Sequence, residues 1–315
     1  MLIEAGQVVL SASYGLAHLE TKTPCAADTN YRLASVTKQF TAMSIMMLAE
    51  RGKLSLEDRI SKFFPGFPAY GNNITIRHLL THTSGLLDYE ALIPDSATEQ
   101  VKDKDVLHLL RQVDKSMFPP GTAFHYSNAG YAFLALIVEA ASGRPFAAFL
   151  RENIFQPLGM DNSVAFESGI STVPHRAYGY SATVSGDKSR PAFAFTDQSV
   201  TSAVLGDGGI YSSTTDLFKW DQALYTERLV SRKMLQQAFT AASKTSDFHG
   251  SGYGFGWYVG VQKGVPSVWH YGDTIGFSSH IERYPERKFT LILLANRHQA
   301  PLGEICRAII DLYWK

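Results

Sequence analysis

Apolar residues spaced three and four apart mark the first long element of the chain. Val36, Phe40, Met43 and Met47 form one stripe and Ala42, Ile45 and Ala49 a second, so a helix beginning near Ser35 is apolar around nearly its whole circumference. A helix of that kind is a buried one. Gly52 stands just past its end, where a left-handed residue stops a helix. Ahead of it, residues 8–14 read as a strand folded back on Leu2 and Ile3 across Glu4 to Gln7. Thr75 is placed to cap a short helix through Ile76, Leu79 and Leu80 that closes at Ser84-Gly85.

The middle third is nearly all helical in pattern. One helix runs through Val106, Leu109, Leu110 and Val113, and Pro119-Pro120-Gly121 then forces an extended turn. Residues 129–141 form a strongly apolar helix closed by Ser142-Gly143; Pro145 opens the next, which runs to about Ile154 and ends at Pro157-Leu158-Gly159. From Tyr178 the pattern becomes polar loop through Ser199, followed by a turn at Gly206-Asp207-Gly208-Gly209. Thr215 is the expected cap of a helix through Leu217, Trp220 and Leu224. Strands follow at 253–259, 268–271, 277–284 and 289–296, and a helix over 304–313 finishes the chain. Helical segments followed by consecutive short strands predict an α+β fold with an antiparallel sheet.

Composition narrows the function by exclusion. The chain has 315 residues, enough for a large core, with 29 Lys+Arg against 29 Asp+Glu. That balance gives no field directed at nucleic acid or an anionic membrane. No apolar run approaches about 18 residues, so no membrane span is expected. The start of the chain shows no signal-peptide pattern, which implies a cytoplasmic protein or one whose leader has been removed. Cys25 and Cys306 are too few for a disulfide framework, and no Cys/His cluster has zinc spacing. Both are expected to be free thiols.

Against this background the head of the buried helix stands out. Ser35 and Lys38 lie three apart and so share a face. A serine hydroxyl is a weak nucleophile until a base takes its proton. A lysine with its ordinary pKa of about 10.4 is almost never uncharged at neutral pH. Burial that lowers the pKa to roughly 7–8 makes it a usable base, at a cost to the ammonium of about 4 kcal/mol. The competing account is a helix cap at Ser35 and a snorkelling Lys38. The same spacing recurs at Ser185-Gly186-Asp187-Lys188 in a polar loop, so partners must decide.

Two further triplets supply them. Tyr126-Ser127-Asn128 follows the Pro-Pro-Gly turn at the mouth of an apolar helix. There Tyr126 could relay a proton between serine and leaving group, and Asn128 could hold the lysine and a substrate amide. The bland alternative is a packed aromatic and a helix cap. His270-Tyr271-Gly272 lies on a strand in the final third. His270 could steady a Tyr126 phenolate or orient the departing group, and the backbone N–H of Asp273 could join that of Ser35 as an oxyanion hole.

Taken together, Ser35-Val36-Thr37-Lys38, Tyr126-Ser127-Asn128 and His270-Tyr271-Gly272 resemble the serine β-lactamase and penicillin-binding family, most closely its class C branch. That branch also holds DD-peptidases, D-amino-acid-specific amidases and family VIII carboxylesterases. The segments 79–86, 120–122, 156–160 and 208–212 read as family segments too, so the likeness spans nearly the whole chain. It implies a single catalytic domain over 1–315 in two lobes, an α/β lobe of about 1–62 and 195–315 and a helical lobe of about 63–194, with the site in the seam. It also implies a covalent acyl-Ser35 intermediate, with Lys38 as base and Tyr126 as proton donor. No metal or cofactor is expected.

The chain departs from the family where its β-lactamases carry Lys-Thr-Gly; here the triplet is His-Tyr-Gly. The departure removes a cation and a hydroxyl that bind a β-lactam carboxylate, and Tyr271 is expected to narrow the slot. Members also carry a helix ahead of the first strand that this sequence does not show, which leaves a gap expected against the last helix. The resemblance therefore implies a serine hydrolase of small esters or amides, of carboxylesterase or D-amino-acid peptidase type ahead of true β-lactamase. A penicillin-binding-like receptor with little turnover is the alternative from another class. The Gly-x-Ser-x-Gly elbow of α/β-hydrolases is absent. His78 and His82, four apart, lack the glutamate of a zinc-protease helix. Small-molecule substrates are the partners implied, and the oligomeric state is left open.

Overall fold

The computed structural model describes residues 1–183, 192–245, 247–248 and 250–314; the second Ser-x-x-Lys match, at Ser185 to Lys188, lies outside them. An eight-stranded sheet is built from β1 (Leu2–Glu4), β2 (Gln7–Leu10), β3 (Ser243–Lys244), β4 (Gly252–Tyr253), β5 (Tyr258–Gln262), β6 (Val265–Thr274), β7 (Phe277–Tyr284) and β8 (Phe289–Ala295). Its order is β3-β4-β5-β6-β7-β8-β1-β2, and every neighbouring pair is antiparallel. The fold is thus α+β, as the pattern of helices and late strands implies.

Successive side chains of a strand point to opposite faces, and β7, buried throughout, uses both. Arg283 points to one face and meets Asp221 on helix α3 (Thr214–Ala223); Glu282 points to the other and meets Cys306 on helix α4 (Leu302–Tyr313). The long core helix is α1 (Lys38–Glu50), and the apolar helix after the Pro-Pro-Gly turn is α2 (Asn128–Ser142). Phe40 of α1 stacks on Trp220 of α3 with ring centroids 4.3 Å apart. One continuous apolar cluster runs from Ile3 and Ile292 of the sheet through α1 to Phe133 and Leu134 of α2. Gly52 and Gly143 both adopt the left-handed conformation that ends a helix. Among the described residues no single helix is long and apolar enough to cross a membrane.

Several boundaries differ from the sequence expectation. The first hairpin ends at Leu10 rather than Tyr14. The helix capped by Thr75 closes at Leu80, before Ser84-Gly85, because the chain turns through His82 at positive φ. Ser213, not Thr215, caps α3, its hydroxyl accepting from the backbone N–H of Asp216. The expected strand 253–259 is two strands, since Gly254-Phe255-Gly256 leaves the sheet to pass over α1; a Cβ on Gly256 would lie 2.7 Å from the Lys38 carbonyl. The region read as polar loop holds a hairpin of Tyr180–Thr183 against Ala192–Phe195, half-exposed and therefore weakly patterned. Leu205–Gly208 is one helical turn rather than a loop turn, and the helix Arg232–Ala238 went unmarked.

The Arg283–Asp221 pair is fully enclosed, with Nε to Oδ1 at 2.6 Å, and Thr290 adds a hydroxyl donor to the same oxygen at 2.7 Å. Removing one partner strands the other charge in the interior. Asp221→Ala should lower unfolding free energy by about 3–5 kcal/mol in urea titration, well beyond a typical surface substitution.

Candidate active site

The turn that carries Ser35 is anchored on both sides before it begins. Tyr31–Arg32 pairs with Ile210–Ser212, the Leu33 N–H donates to the Ile210 carbonyl at 2.8 Å, and Ser279 of β7 donates to the Leu33 carbonyl at 2.6 Å. Ala34 is held at φ +47°, a conformation that costs a residue with a Cβ roughly 1–2 kcal/mol. The chain then makes a single 3₁₀ turn, Ala34–Thr37, and continues as α1 from Lys38. Ser35 is thus presented at the head of a buried helix, as the apolar pattern implies.

Lys38 is entirely buried, and its Nζ lies 3.0 Å from Ser35 Oγ, 2.8 Å from Asn128 Oδ1 and 2.9 Å from the Asp207 carbonyl oxygen. Desolvation lowers its pKa to about 8, opposed by the carboxylates of Asp207 and Glu90. About a tenth of the amine is therefore uncharged at pH 7 and about half at pH 8, with its lone pair free to face the serine. Burial raises Asp207 above the usual carboxylate range, while Lys38 pulls it back, and the Tyr89 hydroxyl donates to it at 3.0 Å.

Asn128 heads α2, whose Ser127 cap accepts from the Gly130 N–H. It holds the lysine through Oδ1, as expected, but its Nδ2 donates to Glu90 at 2.7 Å. Glu90 takes one of the two N–H donors of that amide. The Tyr126 ring lies 4.9 Å from Lys38 Nζ. Burial pushes the phenol well above its usual pKa, so Tyr126 is a neutral phenol rather than a phenolate. Tyr253, Tyr258 and Trp269, with Phe124 and Phe248, form the aromatic wall behind it.

His270 departs from the expected role. Its Nε2 meets the Tyr253 hydroxyl at 2.9 Å and its Nδ1 the Tyr271 carbonyl at 2.7 Å, while its ring centroid is 6.2 Å from that of Tyr126. Burial lowers its pKa to about 3, so it is a neutral link in the wall and steadies no phenolate. Tyr271 stacks on Tyr258 and borders a cavity that Gly272 and Asp273 also line. Gly272 is where the sheet comes closest to the nucleophile. A Cβ there would sit 2.9 Å from the Ser35 nitrogen and inside contact distance of the Leu33 carbonyl and Ser279 hydroxyl. Asp273 borders the cleft with Ser35, and its carboxylate is tied back by Ser278 Oγ at 2.7 Å and the Gln299 N–H at 2.9 Å.

The cleft itself, about 150 Å³, is bordered by Ser35, Tyr89, Glu90, Asn128, Asp207 and Asp273. Arg32 also reaches it, but its guanidinium is spent on the carbonyls of Gly208 and Ser202. Glu90, Tyr89 and Asp207 escaped sequence reasoning because a lone carboxylate or phenol in a loop carries no spacing signal. His78 and His82 turn to different work: each Nδ1 accepts a backbone N–H, from Thr75 and Ser127 respectively, and His82 stacks on Tyr126 at 4.3 Å.

A serine touching a buried amine of lowered pKa, beside an antiparallel sheet, places the molecule among the serine hydrolases. The chain belongs to the Beta-lactamase family, whose model matches residues 1–313. It is 35% identical over 310 residues to penicillin-binding protein 4* of Bacillus subtilis (strain 168), spanning 94% of this chain and 67% of that protein. The solved penicillin-binding protein of Bacillus halodurans superposes with a TM-score of 0.85 at 30% identity, covering 99% of this chain and 94% of the other. The D-amino acid amidase of Ochrobactrum anthropi SV3, complexed with L-phenylalanine amide, gives a TM-score of 0.77 at 26% identity over 90% and 81% of the two chains.

Two measurements follow from this geometry. If Lys38 is the base, kcat/KM must rise with pH as the ammonium loses its proton, reach half its plateau near pH 8 and stay high above it; a flat profile from about pH 6 to 9 excludes that role. Gly272→Ala should cost about 100-fold in kcat, since the added methyl pushes β6 away from the Ser35 turn.

Proposed function

We propose that the protein hydrolyses small esters or amides through an acyl-Ser35 intermediate, with a preference for acyl groups bearing a free amine. The observation that carries the reading is the 3.0 Å contact between buried Lys38 Nζ and Ser35 Oγ. In the uncharged state the amine takes the serine proton as Oγ bonds to the acyl carbon. The oxyanion is received by the backbone N–H groups of Ser35 and Asp273. Tyr126, kept neutral by burial, gives its phenolic proton to the leaving alcohol or amine and recovers one from the Lys38 ammonium. Water then enters by the reverse path, its proton passing to the same groups, and the acid is released.

The preference for an amine rests on charge. The cleft is bordered by Glu90, which is exposed, and by Asp207, while its cations Lys38 and Arg32 are both engaged. A substrate ammonium is favoured there and a substrate carboxylate disfavoured. The His270-Tyr271-Gly272 triplet, without the cation of Lys-Thr-Gly, points the same way. The likeness to an amidase of D-amino acids supports it as well. Esterase or D-aminoacyl amidase activity therefore ranks ahead of β-lactam cleavage.

p-Nitrophenyl acetate turnover should vanish in Ser35→Ala and fall about 10²–10⁴-fold in Lys38→Ala and Tyr126→Phe; an active Ser35→Ala sinks the mechanism. Nitrocefin should be a far poorer substrate than the ester. Glu90→Gln should lower the kcat/KM ratio of D-phenylalanine amide to p-nitrophenyl acetate by about tenfold or more, the worth of one hydrogen bond to a charged group. An unchanged ratio removes the amine preference while leaving the acyl-serine mechanism standing.

A further inference from the structure

The sheet face turned away from Ser35 holds a second cluster of reactive side chains. His280 and Glu282, two apart on β7, project to the same side, and Cys306 reaches them from α4. One ligand atom from each lies within 4.8 Å of the other two, and all three residues are buried. Glu282 Oε2 is the hub, 3.2 Å from His280 Nε2 and 3.1 Å from Cys306 Sγ. Its other oxygen accepts from the Tyr284 hydroxyl at 2.7 Å.

We propose that His280, Glu282 and Cys306 form a zinc site that fastens α4 to the sheet. Thiolate, imidazole and carboxylate together are a donor set suited to zinc, which takes tetrahedral nitrogen, sulfur and oxygen ligands at about 2.0–2.3 Å. Ligands at those lengths stand roughly 3.5 Å apart, so the two spacings to Glu282 need open by only a few tenths of an ångström, and the third lies within 4.8 Å. On binding, the Cys306 thiol releases its proton to solvent and its sulfur bonds the metal; thiolate and carboxylate then neutralise the dication. This accounts for a carboxylate placed where burial is costly. Tyr284 supplies the outer hydrogen bond that orients a ligating carboxylate. The fourth position opens on a cavity of about 430 Å³ that His280 and Glu282 border, where water can complete the tetrahedron.

The competing account is a hydrogen-bonded knot that holds no metal. Full-length protein stripped with chelator is reloaded with zinc sulfate, dialysed and assayed by elemental analysis, and in parallel titrated with cobalt(II). The proposal expects about one zinc per chain, a rise in melting temperature on adding zinc, and a near-ultraviolet thiolate-to-cobalt band. Cys306→Ser should lose the zinc and the band, Cys25→Ser should keep both, and Tyr284→Phe should weaken zinc binding about 10–100-fold. Wild type retaining no more zinc than Cys306→Ser, or binding cobalt without the thiolate band, overturns it. The cobalt spectrum is read on wild type, so the outcome stands even if a variant misfolds.

Discussion

The whole arrangement depends on one buried amine with three oxygen neighbours. Water is excluded around Lys38, which favours the uncharged form, yet Ser35, Asn128 and Asp207 each offer an oxygen within hydrogen-bond distance. Full desolvation without those acceptors would leave a costly orphan, and acceptors without desolvation would leave a permanently charged ammonium. The three oxygens arrive from segments about 90 and 80 residues apart in sequence, on a 3₁₀ turn, the first residue of α2 and a single helical turn. Packing α1 against α2 and against that turn is what creates the pair of opposing influences.

The second constraint is how closely the sheet approaches the nucleophile. Leu33 is hydrogen-bonded from two sides, Ala34 is held in a left-handed conformation, and Gly272 has no room for a side chain. Each of these brings the Ser35 turn nearer to β6 than ordinary packing would. Backbone strain that persists at such a point requires surroundings that over-determine it, and here the backbone pairing with Ile210–Ser212 on one side and Ser279 on the other do so. The consequence is that Ser35 and Asp273 border one cleft.

Around this cleft the protein separates its ionisable groups by environment. The aromatic wall of Tyr253, Tyr258 and Trp269 keeps Tyr126 and His270 neutral, the first as a donor and the second as a structural link. Acidic groups collect on the opposite side: Asp207 is raised by burial, Asp103 is raised to about 7 while accepting the N–H groups of Leu205 and Gly206, and Glu90 faces solvent. Buried aromatic groups behind Tyr126 are thus neutral, while Glu90 and Asp207 border the cleft itself.

Much of this was legible along the chain. The 3.6-residue period of α1 and α2 and the glycines closing them marked the core helices, because burial and helix termination are local matters of spacing and φ. Ser35 with Lys38, Tyr126 with Asn128, and His270 to Asp273 were each marked as short groupings of reactive residues. Half-exposed or very short elements left weaker signals, as with the 180–195 hairpin and the helical turn at Leu205–Gly208. What the sequence by itself determined is the long core helices, the late strands of the sheet and the family to which the chain belongs. Tertiary structure alone decided that His270 serves Tyr253, that Tyr271 stacks on Tyr258, that Glu90 joins the cleft, and that Cys306 meets His280 and Glu282. The reason is physical: side-chain direction and desolvation depend on which distant segments come within a few ångströms, and no local pattern encodes that.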